Sequence, residues 1–137
     1  MLNINDMENN KEMDIISQKD WLLENIVNSC DFKEIDNIEI TLNVNGLLVC
    51  GIMISGEEYF LNSLGQDNEY FKSLAKDLYG DITNLKNENT KPNYIHLKSA
   101  QFWVGTMNPV PSEVGVYWRG RISEISAFSF GKLELIK

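Results

Sequence analysis

The chain has 137 residues, 43% of them hydrophobic, with 12 Lys and Arg against 20 Asp and Glu. That length suits one domain and that composition supports a core, which sets aside two full domains, global disorder and a fibrous repeat. The net charge of −8 repels phosphate backbones and anionic lipid, so neither nucleic acid nor a membrane is expected as a partner.

Residues 1–16 are polar, with scattered Met and Ile and little periodicity, and are expected to form a mobile N-terminal arm; residues 17–137 are the single domain. No basic stretch followed by an apolar one marks a signal peptide. The longest nearly apolar run, residues 47–54, is far short of the roughly 20 residues that cross a bilayer. The cytoplasm is the expected compartment. Ser17 and Asp20 form an S-x-x-D capping box, and Leu23, Ile26, Val27 and Cys30 follow at helical spacing, which predicts an amphipathic helix over residues 18–30. Cys30 and Cys50 fit no zinc or CxxC spacing and read as buried reduced thiols.

Ile38, Ile40, Leu42 and Val44 alternate with polar residues as a strand does, and Asn45-Gly46 is a strong hairpin signal. Closing that turn sets Val44 opposite Leu47, Leu42 opposite Val49, Ile40 opposite Gly51 and Ile38 opposite Met53. The returning strand also carries Leu48, Cys50, Ile52 and Ile54 on its other face, so it must be central or sharply bent, and Gly51 permits a bend. A helical insertion follows, capped by Asp67, carrying Phe71, Leu74, Ala75 and Leu78, and closed by Gly80. A strand is predicted over residues 94–104, with an irregularity near Ala100 and Gln101. Pro109 and Pro111 mark a loop. In the next strand Val114, Val116, Trp118, Gly120 and Ile122 share a face, and Val116, Trp118 and Ile122 are assigned to the core with Gly120. Phe128, Phe130 and Leu133 belong to a last strand. The order points to an α+β fold, mainly antiparallel β: a small curved sheet or an Sm-like or SH3-like barrel, with an N-terminal helix and a helical insertion.

No reaction is legible. The single histidine, His96, has no nucleophile or acid near it in sequence and is assigned a surface or hydrogen-bonded structural role. Glu57 and Glu58 read as a solvated helix start rather than a metal site. Gly46, Gly51 and Gly56 lack the strand-to-helix turn and the Lys of a phosphate loop. No catalytic, cofactor-binding or metal-ligating residue is therefore expected. The last third of the chain is mildly basic, with five bases against three acids in residues 93–137, and it holds both arginines of the protein. There Tyr117, Arg119 and Arg121 share the outward face of one strand, and Tyr and Arg dominate binding hot spots. They are the expected partner-binding residues; the competing reading pairs the arginines internally with acids such as Glu39.

Three stretches, ITLNVNGLLVCGIMISGEEYF (Ile40–Phe60), YIHLK (Tyr94–Lys98) and YWRGRISEISAFSFGKL (Tyr117–Leu133), together resemble the gas vesicle accessory protein family GvpU. The resemblance covers roughly residues 18–133 and rests on the LNVNG hairpin and the WRG segment jointly. It implies a GvpU-like domain over residues 17–137 without catalytic activity or cofactor. It also implies an accessory protein in vesicle assembly or clustering, a homo-oligomer that binds protein at a gas vesicle surface. An Sm-like RNA-binding ring is the alternative that the helix-then-barrel order suggests, and the acidic balance with only two arginines disfavours it.

Overall fold

Helix α1 (Trp21–Asp31) begins where Asp20 caps it, its carboxylate accepting from the backbone N–H groups of Leu22 at 2.9 Å and Leu23 at 3.3 Å. The computed structural model describes residues 19–64, 68–80, 91–105 and 108–133. The arm expected over residues 1–16, with Ser17 and Asp67, lies outside them. Asp20 is thus the N-cap itself rather than the third residue of the helix. Leu23, Val27 and Cys30 form the buried stripe of α1 and pack against a sheet, while Trp21 remains exposed.

Strands β1 (Ile38–Val44) and β2 (Leu47–Ile54) pair in the register that the Asn45-Gly46 turn dictates, from Val44 opposite Leu47 to Ile38 opposite Met53. Asn45 and Gly46 both adopt positive φ, as such a turn requires. β3 (Tyr94–Trp103) pairs with β2 on its other side, β4 (Val116–Arg121) pairs with β3, and β5 (Ile125–Phe130) pairs with β1. The order β4-β3-β2-β1-β5 is antiparallel throughout and makes β2 the central strand. The irregularity expected near Ala100 falls at Ser99, whose φ is 54°; there β3 bulges and its registers with β2 and β4 both shift. Gly51 faces that bulge, and a Cβ there would sit 3.1 Å from the Lys98 carbonyl oxygen.

The sheet is open, not a closed barrel: β4 and β5 end it on either side. A 3-10 turn, Ile122–Glu124, is all that joins them. In a flat sheet these edges would lie four strand spacings apart, about 19 Å, farther than so short a turn reaches. The sheet must therefore curl, bringing the end of β4 towards the start of β5 without joining the two edges.

Its two faces are covered unequally. One carries the main core, in which Ile40, Leu42, Val49, Met53, Ile95, Leu97 and Ile122 are fully buried under α1. Val116, assigned to that core by alternation, is exposed, as is Val114 on the same face, because β4 starts only at Val116 and lies on an edge. The other face is covered by α2 (Gly56–Asn62), capped by Ser55, and α3 (Glu69–Tyr79), capped by Asn68. The helical insertion therefore holds two helices, the first starting as soon as β2 ends.

Trp118 half-buries its indole against the core and lies across Gly120, where an added Cβ would fall 2.0 Å from the ring carbon Cη2. The WRG segment needs its glycine for that reason. Gly120→Ala is expected to displace the indole and cost about 1–3 kcal/mol. Trp118→Ala, which removes the indole, should cost about 3 kcal/mol. Urea unfolding reads both; a Gly120→Ala midpoint equal to wild type would contradict this packing.

Candidate partner-binding site

Tyr94 and His96 of β3 stand opposite Arg121 and Arg119 of β4, on the sheet face that α2 and α3 cover. Arg119 is the centre of the site. Its guanidinium carbon lies 3.6 Å from the centroid of the Tyr94 ring and 5.7 Å from that of Phe60, which α2 supplies. Its Nε donates to His96 Nε2 at 3.2 Å. The residue as a whole remains exposed, so this stacked cation keeps contact with solvent.

His96, expected at the surface or in a hydrogen bond, is buried and hydrogen-bonded. Its ring stacks at 4.9 Å from Tyr59 and 6.1 Å from Phe60. Burial, reinforced by the positive charge of Arg119, drives its pKa down to about 3, so the imidazole is neutral near pH 7. Nε2 accepts from Arg119, hence Nδ1 carries the proton, and Nδ1 is buried without a hydrogen-bond partner among the described residues. The histidine is a fixed acceptor that orients the guanidinium.

Tyr117 lies one turn of the alternation from Arg119, partly exposed, with its ring 6.5 Å from Tyr59. With Tyr59, Ser63, Leu64, Phe71 and Val116 it lines a shallow groove of about 500 Å3 between the β4 edge and helices α2 and α3. Arg121 is exposed. Neither arginine forms an ion pair with a described acid, and Glu39 lies on β1, with two strands between it and β4. Glu57 and Glu58 instead pair with Lys33 at 2.6 Å and Lys98 at 3.6 Å, tying the start of α2 to the end of α1 and to β3. The three residues singled out from sequence thus share a sheet face. Tyr59, Phe60, Tyr94 and His96, which shape it, were not legible as partners because each reaches Arg119 or Tyr117 across a strand pairing or helix docking that no local pattern encodes.

Behind this face the helices are joined by Asp31, the last residue of α1, which accepts from the Gly56 N–H at 2.8 Å. Burial pushes its pKa up to about 6, against the lowering effect of that hydrogen bond. Cys30 beside it is inert, because burial first, and the charges of Asp31, Glu58 and Asp36 next, push its thiol up to about 12. Both cysteines are free and buried.

Among the described residues no group of His, Cys, Asp and Glu could hold a metal ion, and no helix is long and apolar enough to cross a membrane. An open, curled antiparallel sheet with helices on both faces defines a small α+β protein. The family comparison is more specific: the model of the family described as "Gas vesicle protein GvpU-like" matches residues 20–133, and the chain belongs to that family. No curated protein and no solved structure matches it.

Asp31 binds its proton more tightly when folded, so between pH 4 and about pH 6 the folded state holds more protons than the unfolded one, and this group costs stability as pH rises. His96, with a lowered pKa, acts in the opposite sense below about 6.5. Asp31→Asn keeps the acceptor for Gly56 and removes the first effect alone. It should stabilise the protein by about 1–3 kcal/mol at pH 7, and the gain should fade towards pH 4. Thermal or urea unfolding across that range checks it; a pH-independent difference would contradict it.

Proposed function

We propose that the protein is a non-enzymatic gas vesicle accessory protein, acting in the cytoplasm on vesicle assembly or clustering through self-association and through protein binding at Tyr117, Arg119 and Arg121. Membership of the GvpU-like family over residues 20–133 carries this reading. The site is consistent with it. Arg119 is held in place by Tyr94, Phe60 and His96, so little side-chain entropy is lost when it engages a partner. With Nε occupied, its terminal nitrogens are the donors left for a carboxylate, and the adjoining groove accepts an apolar or aromatic side chain. The partner suited to this face is a protein segment that mixes acidic and apolar residues.

An RNA-binding ring draws only topological support. On this face Lys98 is paired with Glu58, one of the two arginines is already stacked and hydrogen-bonded, and the protein as a whole carries −8.

Gas vesicles float, which gives a direct assay. Wild-type protein mixed with isolated vesicles is expected to rise with them on centrifugation. Arg119→Ala combined with Arg121→Ala should reduce the co-floating fraction at least about tenfold, as loss of a charged hot-spot pair does, with an unchanged circular dichroism spectrum. A wild-type protein that neither floats with vesicles nor alters their clustering by light scattering would refute the reading. Single-stranded oligonucleotides at physiological salt should show no submicromolar binding.

A further inference from the structure

The two sheet edges differ in chemistry. β4 ends in Trp-Arg-Gly-Arg, with both arginines exposed. β5, Ile-Ser-Ala-Phe-Ser-Phe, has no charge and no proline, and Phe130 is 58% exposed. An uncharged, aromatic, unpaired edge is the kind that natural sheets cover or blunt, because its free N–H and C=O groups pair with any extended chain. Among the described residues no strand pairs with that side of β5.

The hydrogen-bond phase identifies which groups are free. Gly131 N–H donates to the Glu39 carbonyl at 2.8 Å, one step beyond the Ile40–Phe130 pair. Residues at that phase of β5 point towards β1, so the backbone groups of Phe128 and Phe130 point to the open side. On β4, Ile122 N–H donates to the Asn93 carbonyl, so there the groups of Arg119 and Arg121 point to the open side.

From these phases we infer that the chain self-associates as a two-fold dimer in which β5 pairs antiparallel with β5 of a second copy. In antiparallel pairing, facing residues must share both a sheet face and a hydrogen-bond phase. A two-fold axis at Phe128 satisfies both conditions and continues the core face from one copy into the other as a ten-stranded sheet. That register sets Phe128 opposite its own counterpart and brings Phe130 towards Ser126 of the other copy, where β5 bulges against β1. Two-fold pairing through β4 would set the arginines of the two copies against each other. Pairing β4 antiparallel with β5 would join an outer face to a core face, because the free backbone groups of β4 belong to outer-face residues and those of β5 to core-face residues. The uncharged edge is the one that matches itself.

This dimer rests on the self-association part of the proposed function and deepens it. It leaves both Tyr117–Arg119–Arg121 faces outside the β5 contact, since they lie on the other edge strand of each copy. One dimer then holds two partner molecules, and bivalent contact draws vesicles together.

The full-length chain in sedimentation velocity should show a species of twice its 15.7 kDa mass. Phe130→Lys places a charge on the edge at an exposed position and should raise the dimer dissociation constant at least tenfold with an unchanged circular dichroism spectrum. The Arg119→Ala, Arg121→Ala variant should dimerise as wild type. Phe130→Lys should still co-float with vesicles while losing their clustering. A wild-type chain that stays monomeric at every concentration overturns both the dimer and the self-association reading. An oligomer indifferent to Phe130→Lys overturns the β5 interface alone.

Discussion

Because β2 carries apolar side chains on both faces, the sheet must be covered on both, and the positions of the other elements follow from that requirement. Val49 and Met53 face α1 and the main core, while Cys50 and Ile54 face the opposite side, where Cys50 and Ile54 are buried. A strand with no wet face is excluded from an edge, so β1 and β3 must flank it. The second cover comes from the chain immediately after β2: α2 begins at Gly56, and Tyr79 of α3 packs so closely on Gly56 that a Cβ there would fall 2.0 Å from its hydroxyl. Asp31 completes the joint by giving the first turn of α2 an acceptor, at the cost of an ionisable group held out of water.

The stacked arginine is a consequence of this second layer. α2 brings Tyr59 and Phe60 over β3, which buries His96, and a buried imidazole is most stable neutral. A neutral His96 presents a lone pair on Nε2, and Arg119 is the donor directly opposite on β4. The edge position of β4 keeps the far side of the guanidinium in water, so the charge stays solvated while its orientation is fixed. Had β4 been an inner strand, the same cation would have needed a buried acid.

What could be read from sequence divides along the range of the interaction. The β1–β2 register follows from Asn45-Gly46 and the alternation around it, since turn geometry and period two fix every pair within one hairpin. The central place of β2, the GvpU-like family and the α+β class were legible for similar reasons: each rests on patterns along the chain. The misplaced residues are those decided by distant chain. Val114 and Val116 continue the alternation of Trp118 yet lie exposed, because among the described residues no strand pairs beyond β4. His96 alternates with Lys98 as a solvent-facing residue would, but a helix over 30 positions earlier covers it and leaves Lys98 half out. Barrel closure was undecidable from order alone: curling and closing need the same strand sequence and differ only in whether β4 meets β5.

An open sheet rather than a barrel has a physical consequence for a protein in this family. A closed barrel has no free backbone edge and can meet partners only through side chains. Here two edges survive and are chemically unlike, one cationic and partly shielded by α2 and α3, the other uncharged and aromatic. The arginines discourage a strand from pairing with β4 of another copy, which keeps the Arg119 face available, whereas nothing on β5 opposes pairing. On a chain with a net charge of −8, long-range repulsion between copies disfavours contact except where charge is absent. The run Ile125–Phe130 carries no charge and lies on the other edge strand from Arg119, so a contact at one edge need not use the surface of the other.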